Sequence, residues 1–428
     1  MARQSTGMKS TGAKKASAPE RVDVLIAGGG YVGLSAAVSI ADAGTGLTVA
    51  VVDPLPPEAI EKDVRASAIA AAATRMLDRL GIWDELVEDA QPINEMVVTD
   101  SRLSDATRPV FLTFANEGAK EGGSSEAGAP FAHMLPNRSL VKALRAKAEK
   151  LGVALVTDRV DGFVAGPGEV DVQLGNGAVH ARLLVAADGV RSKLRETAGI
   201  RTVHWPYDQM GIVATVAHER PHEGRAEEHF LPSGPFAILP LKGNRSSLVW
   251  TERARDAKRL IEADDLTFEL ELEQRFGHKL GALTVEGPRR AFPLGLTLAR
   301  DMVQERFALA GDAAHGIHPI AGQGLNLGFK DAATLAETLV EAHRLGLDIG
   351  SLAVLERYQQ WRRFDTVQMG VTTDVLNRLF SNDNPLLRAV RDAGLGMVDR
   401  LPGLKRRFID QAAGYGSGTP RLLRGEAI

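Results

Sequence analysis

The sequence of 428 residues predicts an α/β fold: a Rossmann-like domain, an inserted β-rich domain and a helical C-terminus. The apolar run 22–27 leads through glycines into an Ala-rich helix and a second strand at 47–52, which is a βαβ unit. Residues 211–291 are rich in strand-like patterns, with one helix indicated near 265–276. Beyond Asp331 nearly all of the pattern is helical, so we expect the chain to end in helices.

The composition limits the chemistry that the chain can perform. With 51 Lys and Arg against 54 Asp and Glu, the net charge is −3, and no long basic block indicates nucleic acid as a partner. The absence of Cys excludes disulfides, iron–sulfur centres and a thiol nucleophile. Redox chemistry would therefore need a bound cofactor.

The N-terminal stretch and the apolar content bear on location. Residues 1–20 are basic, poor in acids and lack an apolar core, which favours a disordered tail over a secretory signal or a transit peptide. No apolar run is long enough to span a bilayer. We expect a cytoplasmic protein, with contact to the inner membrane as an alternative and the mitochondrial matrix less favoured.

The first chemical motif is a G-x-G-x-x-G run formed by Gly28, Gly30 and Gly33, directly after a strand and at the start of a helix. Gly28 permits the tight turn, Gly30 lets the backbone approach a pyrophosphate, and Gly33 allows close helix–strand packing. Asp53 follows 53 − 33 = 20 residues later, where its carboxylate can accept hydrogen bonds from an adenosine ribose. The motif predicts a dinucleotide site.

The second motif is the segment 311–330, GDAAHGIHPIAGQGLNLGFK, between an apolar strand and a helix. Gly322 and Gly324 lack side chains that could block a flat ligand, and the helix start favours negative charge in front of it. A reduced flavin is anionic at its N1–C2=O edge, and Asp312 could accept a hydrogen bond from a ribityl hydroxyl. Nicotinamide enzymes do not need this second cofactor-binding segment. We therefore predict FAD, extended from the Gly28–Gly33 loop to this segment.

Two further patterns have ordinary explanations as well as functional ones. Asp188-Gly189 at a strand end is either a plain turn or a cofactor contact, and its context favours the contact. Asp312, His315 and His318 have a D-x-x-H-x-x-H spacing, but a metal site would need a rigid face and a further ligand. We therefore predict no metal.

Together these motifs resemble the group A flavoprotein aromatic hydroxylases of the para-hydroxybenzoate hydroxylase fold. The resemblance is greatest to their ubiquinone-biosynthesis branch, the polyprenylphenol hydroxylases, and it runs from about residue 22 to 410. Beyond the glycine motifs, it is carried by Asp188-Gly189 with Ser192 and Arg195, Arg65-Ala66-Ser67-Ala68-Ile69, Asn137-Arg138-Ser139-Leu140, Phe292-Pro293-Leu294, and Asp348-Ile349-Gly350 with Leu355, Tyr358, Arg362 and Asp365. One departure is Asp53, where many relatives carry Glu.

The resemblance implies roles for individual residues. Arg65 would lie near the FAD pyrophosphate, and Arg138 would contact the cofactor from a helix start. The cofactor-binding set is then Gly28, Gly30, Gly33, Asp53, Arg65, Arg138, Asp188, Gly311, Asp312, Pro319, Gly322, Gln323, Gly324 and Asn326. On the substrate side Pro293, His318 and Pro319 are candidates, and no catalytic base is assigned.

The resemblance also implies the activity. The chain would be an FAD-dependent monooxygenase that hydroxylates the aromatic ring of a polyprenylated phenol in ubiquinone biosynthesis. It would hold FAD tightly, take electrons from transiently bound NAD(P)H and use O2 through a flavin C4a-hydroperoxide. The alternatives left open are an FAD-dependent hydroxylase or reductase of another aromatic or isoprenoid substrate, and a non-catalytic flavin-binding subunit of a biosynthetic complex.

The motifs and the resemblance together divide the chain into domains. We predict a disordered tail at 1–20, a discontinuous FAD-binding domain at 21–90, 131–200 and 291–340, a substrate domain at 91–130 and 201–290, and C-terminal helices at 341–428. The stretch 386–408 is basic and amphipathic, which suits a peripheral membrane contact as well as it suits packing on the FAD-binding domain or a dimer partner. The expected partners are a lipophilic phenolic substrate and a homo-oligomer or a ubiquinone-biosynthesis complex.

Overall fold

The computed structural model describes residues 18–100, 103, 110–115, 130–318, 323–381 and 418–428. Most of the tail predicted at 1–20 lies outside these residues, and so does the basic stretch at 386–408. Within the described part, no helix is both long and apolar enough to cross a bilayer.

The described chain begins with a βαβ unit, as the sequence pattern predicts. The α-helices are α1 (Tyr31–Asp42), α2 (Ala71–Arg79), α3 (Asn137–Lys150), α4 (Lys193–Thr197), α5 (Ala254–Glu262), α6 (Asp265–Phe276), α7 (Gln323–Arg344) and α8 (Leu352–Phe380). The strands are β1 (Arg21–Ala27), β2 (Val49–Asp53), β3 (Ala66–Ala70), β4 (Gln91–Ile93), β5 (Glu95–Asp100), β6 (Val110–Ala115), β7 (Ala132–Pro136), β8 (Ala154–Thr157), β9 (Val160–Ala165), β10 (Val170–Leu174), β11 (Gly177–Ala186), β12 (Thr202–His218), β13 (Arg225–Leu231), β14 (Gly234–Leu241), β15 (Arg245–Arg253), β16 (Leu283–Ala299), β17 (Val303–Gln304), β18 (Phe307–Leu309) and β19 (His315–Gly316).

The first sheet is the Rossmann-like core. Its main path runs β17-β18-β11-β1-β2-β8, and β18, β11, β1, β2 and β8 are parallel neighbours. The strand-like run at the N-terminus forms its centre, because Val24, Leu25 and Ile26 are fully buried there. Ala27 is in register with Ala186 of β11, so the loops that follow these strands leave from one edge of the sheet.

The second sheet is antiparallel over most of its width, in the order β19-β16-β12-β15-β14-β13-β5-β6. One of its faces is covered by α5 and α6, where Trp250 packs on Phe268 with ring centroids 5.5 Å apart. The opposite face contributes Met96, Leu239 and Val249 to a space that is also lined by Tyr31 and Asp312 of the Rossmann-like part. Short β19 pairs with β16, so the segment after Leu309 belongs to both parts of the molecule.

The third sheet, β3-β7-β4, lies between the two larger ones. Near the C-terminus the chain returns to the Rossmann-like part, where Arg421 forms ion pairs with Glu337 and Glu341 of α7. Strands β12 and β16, of 17 residues each, belong to the second sheet. Along the chain they connect that sheet to the Rossmann-like part. The domain boundaries themselves stay predictions.

Candidate functional site

A cleft of about 780 Å³, here called the dinucleotide cleft, opens at the carboxyl edge of the first sheet. The loops that follow β1, β2, β11 and β18 all meet there, because parallel strands end at the same edge. Of the predicted cofactor-binding residues, it is lined by Gly28, Gly30, Asp53, Arg65, Asp188 and Asp312. Residues separated by more than 280 positions in sequence therefore face one space.

The glycine loop is shaped by close backbone contacts. A Cβ atom on Gly28, whose φ is +120°, would lie 2.3 Å from the carbonyl oxygen of Ala187. A Cβ on Gly33 would lie 2.0 Å from the carbonyl oxygen of Gly28. A Cβ on Gly30, by contrast, would meet nothing within 4 Å and would project into open space. The loop thus leaves room for a ligand at Gly30 and for nothing larger than hydrogen at the other two positions.

Asp53 lies at the end of β2 and holds the loop as well as lining the cleft. Its Oδ2 accepts a hydrogen bond from the Gly29 amide at 2.6 Å, and its Oδ1 accepts one from the Leu55 amide at 2.7 Å. Each carboxylate oxygen can accept a further hydrogen bond. Asp53 can therefore keep the loop in place and still receive a ribose hydroxyl.

The turn that follows β18 is held from behind by buried charge. Gly311, with a φ of +62°, donates its amide hydrogen to Asp331 Oδ2 at 2.8 Å. His315 Nε2 donates to the same oxygen at 2.5 Å, and Arg362 Nε donates to Oδ1 at 2.7 Å. Asp331, His315 and Arg362 are fully buried. Burial alone would raise the pKa of the Asp331 carboxyl, but His315 and Arg362 hold it below its ordinary value.

A second connection ties this turn to the loop after β11. Arg195, which is buried, donates from Nη1 to the Ala313 carbonyl at 2.7 Å and from Nη2 to the Val190 carbonyl at 3.0 Å. Ser192 caps α4 by accepting a hydrogen bond from the Arg195 amide at 3.0 Å. Arg195 therefore fixes the Asp188 loop and the Asp312 turn relative to each other.

A second space of about 360 Å³, here called the apolar cavity, continues from the dinucleotide cleft. It lies under the second sheet, and its walls include Met96, Leu239 and Val249 from that sheet. Asp312 and Tyr31 line both spaces, so the two meet at these side chains. Desolvation by the surrounding protein raises the pKa of the Asp312 carboxyl, and desolvation together with the Asp312 charge raises the pKa of Tyr31.

Besides Asp312, three predicted residues line the apolar cavity, and they come from two elements. Pro293 comes from β16, and Gly324 and Asn326 come from the start of α7. The side chain of Asn326 forms two hydrogen bonds with the backbone of β3. Its Oδ1 accepts a hydrogen bond from the Ala70 amide at 2.9 Å, and its Nδ2 donates one to the Ala68 carbonyl at 2.9 Å. It thereby holds β3 against the helix that begins at the cavity.

Other predicted residues lie elsewhere. Arg138 is exposed and lines a cleft of about 260 Å³ beside Lys242 and Arg245. Arg65 lines both this cleft and the dinucleotide cleft, whereas Arg138 is not among the residues that line the dinucleotide cleft. Gly311 lies behind the turn, where a Cβ would come within 3.0 Å of Val32. Pro319, Gly322 and the side chain of Gln323 lie outside the described residues.

His318 is buried next to the turn, with its ring centroid 5.6 Å from that of Tyr207. Burial lowers the pKa of His318 to about 4. The imidazole is therefore neutral at physiological pH. His318 is not among the residues that line either space, so its place as a substrate-side candidate stays a prediction.

The residues present fit an extended dinucleotide that ends in a flat ring. The open position at Gly30 and the carboxylate of Asp53 suit the adenosine half. Arg65 lines the cleft, and although it is paired with Asp63 at 2.8 Å it can offer charge to a pyrophosphate. Beyond Asp312, the glycine at 324 leaves one side of the apolar cavity without a side chain.

Sequence reasoning missed four features of this site. Tyr31 occupies a variable position of the glycine motif, and nothing in the sequence indicates that it joins the two spaces. Asp331 lies in an apolar helical pattern, and only the fold brings Arg362 to it. Arg191 and Lys193 are exposed at the rim of the dinucleotide cleft, next to the predicted Asp188 loop.

Comparisons with known proteins agree with this geometry. The family model described as FAD binding domain matches residues 21–368. The ubiquinone hydroxylase UbiL of Rhodospirillum rubrum is 45% identical, over 97% of this chain and 95% of that protein. The 3-demethoxyubiquinol 3-hydroxylase of Escherichia coli is 34% identical, over 92% of this chain and 98% of that protein.

Among solved structures, p-nitrophenol 4-monooxygenase PnpA from Pseudomonas putida superposes with a TM-score of 0.75 at 20% identity, over 93% of this chain and all of that one. At this identity the likeness shows the fold alone, and it confirms the predicted α/β class. The full-length relatives and the family model confirm the resemblance predicted from the motifs. The chain therefore belongs to the FAD-binding aromatic hydroxylase family of the para-hydroxybenzoate hydroxylase fold, in its ubiquinone-biosynthesis branch.

Proposed function

We propose that this protein is an FAD-dependent monooxygenase that hydroxylates the aromatic ring of a polyprenylated phenol in ubiquinone biosynthesis, with NAD(P)H and O2 as co-substrates. The observation that carries the proposal is the continuity of the two spaces at Asp312 and Tyr31. A dinucleotide bound along the first would present its ring system to whatever occupies the second. The names of the R. rubrum and E. coli relatives support a ubiquinone precursor as the substrate class.

When bound, FAD accepts electrons from NAD(P)H and activates O2 so that one oxygen atom reaches the substrate. The chain supplies position and environment. The Gly28–Gly33 loop and Asp53 would hold the adenosine half, and Arg65 would offset pyrophosphate charge. The amides at the start of α7 would favour negative charge on the ring, because a helix start carries partial positive charge.

The apolar cavity gives the aromatic ring a dry place to react. Its walls contain Ile93, Met96, Phe131, Leu239 and Val249, which exclude water from the reacting atoms. Exclusion of water by these side chains would favour transfer of oxygen to the substrate over its loss to solvent. An apolar wall also suits the ring and first carbons of a prenylated phenol.

The membrane contact, the oligomeric state and the cytoplasmic location remain part of this proposal. The basic stretch at 386–408, which would carry a membrane contact, lies outside the described residues. Flotation of the full chain with anionic vesicles would test it directly. An unchanged distribution with and without vesicles would remove the membrane contact from the proposal.

The decisive experiment is product analysis. Purified protein should be yellow, should oxidise NADH or NADPH faster when a prenylated phenol is present, and should yield a product heavier by one oxygen atom. With ¹⁸O2 the added mass should come from the gas. Colourless protein would contradict FAD binding. A yellow protein whose flavin is not reduced by either nucleotide in the presence of the phenol would contradict the monooxygenase assignment.

A further inference from the structure

Helix α8 carries a row of exposed apolar side chains, here called the α8 stripe. Its members are Phe364, Val367, Val371 and Val375, which are 74%, 47%, 52% and 52% exposed. They follow one another at intervals of three or four residues, so they share one face of the helix. Single exposed apolar residues are ordinary on a protein surface, but a contiguous row of this length indicates a contact surface.

The first half of the same helix provides the comparison. There the same face carries Glu356, Arg357 and Gln360, which are all exposed. Polar side chains on the outer face are the usual pattern for a helix that faces water. The pattern changes from polar to apolar at Phe364, within one continuous helix. The second half of α8 is therefore expected to have a partner that the first half lacks.

The stripe cannot be buried by a rotation of α8 about its own axis. Gly370 lies against β16, where an added Cβ would come within 3.4 Å of Leu296 and 3.2 Å of Leu298. The guanidinium of Arg362 is buried and pairs with Asp331 on α7. Since these contacts fix the inner face of the helix, the partner of the stripe must approach from outside.

The chain leaves and rejoins the described structure at the two ends of this stripe. Beyond its last turn, the Ser381 amide donates a hydrogen bond to the Asn377 carbonyl at 2.8 Å. The chain is described again at Gly418, whose carbonyl accepts a hydrogen bond from Trp361 Nε1 at 2.6 Å. Trp361 lies about one helical turn before Phe364. Residues 382–417, which connect the two points, lie outside the described residues.

The positions of these two points require residues 382–417 to return along α8. From Ser381 back to Trp361 the helix is about 30 Å long, at a rise of 1.5 Å per residue. The chain after Gly418 is held in place, because Arg421 pairs with Glu337 and Glu341 of α7. Both ends of the segment are thus fixed, and the stripe lies between them.

The sequence of the segment suits a contact with the stripe. Between 386 and 408 it contains apolar residues at short intervals, among them Leu387, Val390, Leu395, Val398 and Leu401. Attachment at both ends gives these side chains an effective concentration on the order of a millimolar at the stripe. A second copy of the chain in a micromolar solution competes poorly with a segment that is attached in this way.

We infer that residues 382–417 dock their apolar side chains on the α8 stripe of the same chain. The occupant is therefore intramolecular, and neither a second copy nor a lipid surface is needed to cover the stripe. This inference does not depend on the reaction that the protein performs. The basic side chains of the segment take no part in it, so the membrane contact proposed above is tested separately.

The first test measures the accessibility of the stripe. Because the chain contains no Cys, a single introduced cysteine reports on one position. Val371→Cys lies in the stripe, and Gln360→Cys lies on the same face in the polar half as a matched control. In the full-length holoenzyme without lipid, Val371→Cys should react with a maleimide at least about tenfold more slowly than the control. Val367→Cys repeats the measurement at a second position of the stripe.

The second test identifies what covers the stripe. Leu395→Glu and Leu401→Glu, made together in the Val371→Cys protein, place charge among the apolar side chains of the segment. They should raise the labelling rate to that of the exposed control. Arg391→Glu and Arg400→Glu, made together in the same protein, change basic residues of the segment and should leave the protection in place. Flavin content and circular dichroism show whether each variant is folded.

Four results would overturn the inference. Equal labelling rates for Val371→Cys and Gln360→Cys would show that the stripe is open to solvent. Protection that disappears when the protein is diluted would assign the stripe to a second copy of the chain. Protection that develops only after anionic vesicles are added would assign it to lipid. Protection that survives the two leucine substitutions in a folded protein would assign it to another part of the chain.

Discussion

The two ends of the cofactor site are built by different physical means. In the Gly28–Gly33 loop, backbone carbonyl oxygens leave no room for side chains. A Cβ atom on Gly33 would lie 2.0 Å from such an oxygen, and one on Gly28 would lie 2.3 Å from another. The turn at Gly311 is instead held by Asp331, which joins the Gly311 amide to buried His315 and Arg362. Close packing is encoded locally by residue type. Buried charge needs partners from distant helices, and loss of one partner leaves the others buried without compensation.

The difference predicts that the turn is the more fragile end. Removing Asp331 leaves Arg362 and His315 buried without their carboxylate, which costs about 3–5 kcal/mol. Asp331→Ala should therefore lower the stability of the apoprotein by about this amount and should purify with little FAD. Urea unfolding of the apoprotein and the flavin absorbance of the purified protein measure the two effects.

Asp365 provides the control for Asp331. Its carboxylate also pairs with Arg362, at 2.9 Å, and with Lys330, but its side chain is 26% exposed. Since partly exposed pairs contribute about 0–1 kcal/mol, Asp365→Ala should change stability little and retain FAD. Equal losses in the two variants would mean that the turn does not depend on the buried carboxylate.

The second prediction concerns the protonation of His318, which lies next to the turn, as the pH is lowered. Burial lowers the pKa of His318 to about 4 from its usual 6.5, so the unfolded chain takes up a proton in a range where the native protein does not. Its contribution to stability is complete above pH 6.5 and declines as the pH falls to about 4, by up to about 3 kcal/mol. His318→Asn should flatten the dependence of unfolding free energy on pH in this window.

His278 is a suitable control for His318, because its side chain is 83% exposed. His278→Asn, measured in the same way, shows how much of the change comes from replacing an exposed histidine. A His318→Asn protein whose stability still declines from pH 6.5 to 4 with the wild-type slope would assign the acid sensitivity to other groups.

The third prediction concerns the loop that packing shapes. Gly33→Ala forces a Cβ to within 2.0 Å of the Gly28 oxygen, so the loop must shift, at a cost of about 1–3 kcal/mol. Gly30→Ala adds the same methyl where the protein has no atom within 4 Å. Gly33→Ala should thus lose both apoprotein stability and FAD affinity, whereas Gly30→Ala should lose FAD affinity alone. FAD titration and unfolding of the two apoproteins distinguish these outcomes, and normal FAD affinity in Gly30→Ala would place the ligand away from this position.

The same contrast explains what could be predicted from the sequence. The family, the α/β class and the strand-to-helix turns were predictable because each depends on residues adjacent along the chain, such as the glycines that follow β1. Asp331 could not be assigned, because its partner Arg362 lies on another helix and only the fold brings them together. Arg195 resembles a surface helix residue in sequence, yet it is buried between two loops and donates to carbonyl oxygens at Val190 and Ala313.

For Arg138 the cofactor contact that the resemblance implies stays a prediction. The motif Asn137-Arg138-Ser139-Leu140 matches the family and predicts a cofactor contact, and the neighbouring Asn137 is buried and accepts a hydrogen bond from Ser67 at 2.8 Å. Arg138 itself lines the cleft that also contains Arg65, Lys242 and Arg245. The motif can therefore belong to the family through the buried Asn137 that pins β3, while the arginine faces another space.

The smallest expected effect decides between these two explanations. Arg138→Ala should leave the FAD dissociation constant within about twofold of wild type, because Arg138 does not line the dinucleotide cleft. Arg65→Ala should weaken FAD binding about tenfold, because it removes one charge-assisted hydrogen bond of about 1.5 kcal/mol. FAD titration of the two apoproteins under identical salt conditions measures the difference. If Arg138→Ala weakened FAD binding as much as Arg65→Ala, the guanidinium of Arg138 would have to swing into the cleft when the cofactor binds. The end of the site at the Gly28–Gly33 loop would then be completed only when FAD binds. The end at the Gly311 turn would be formed before FAD binds.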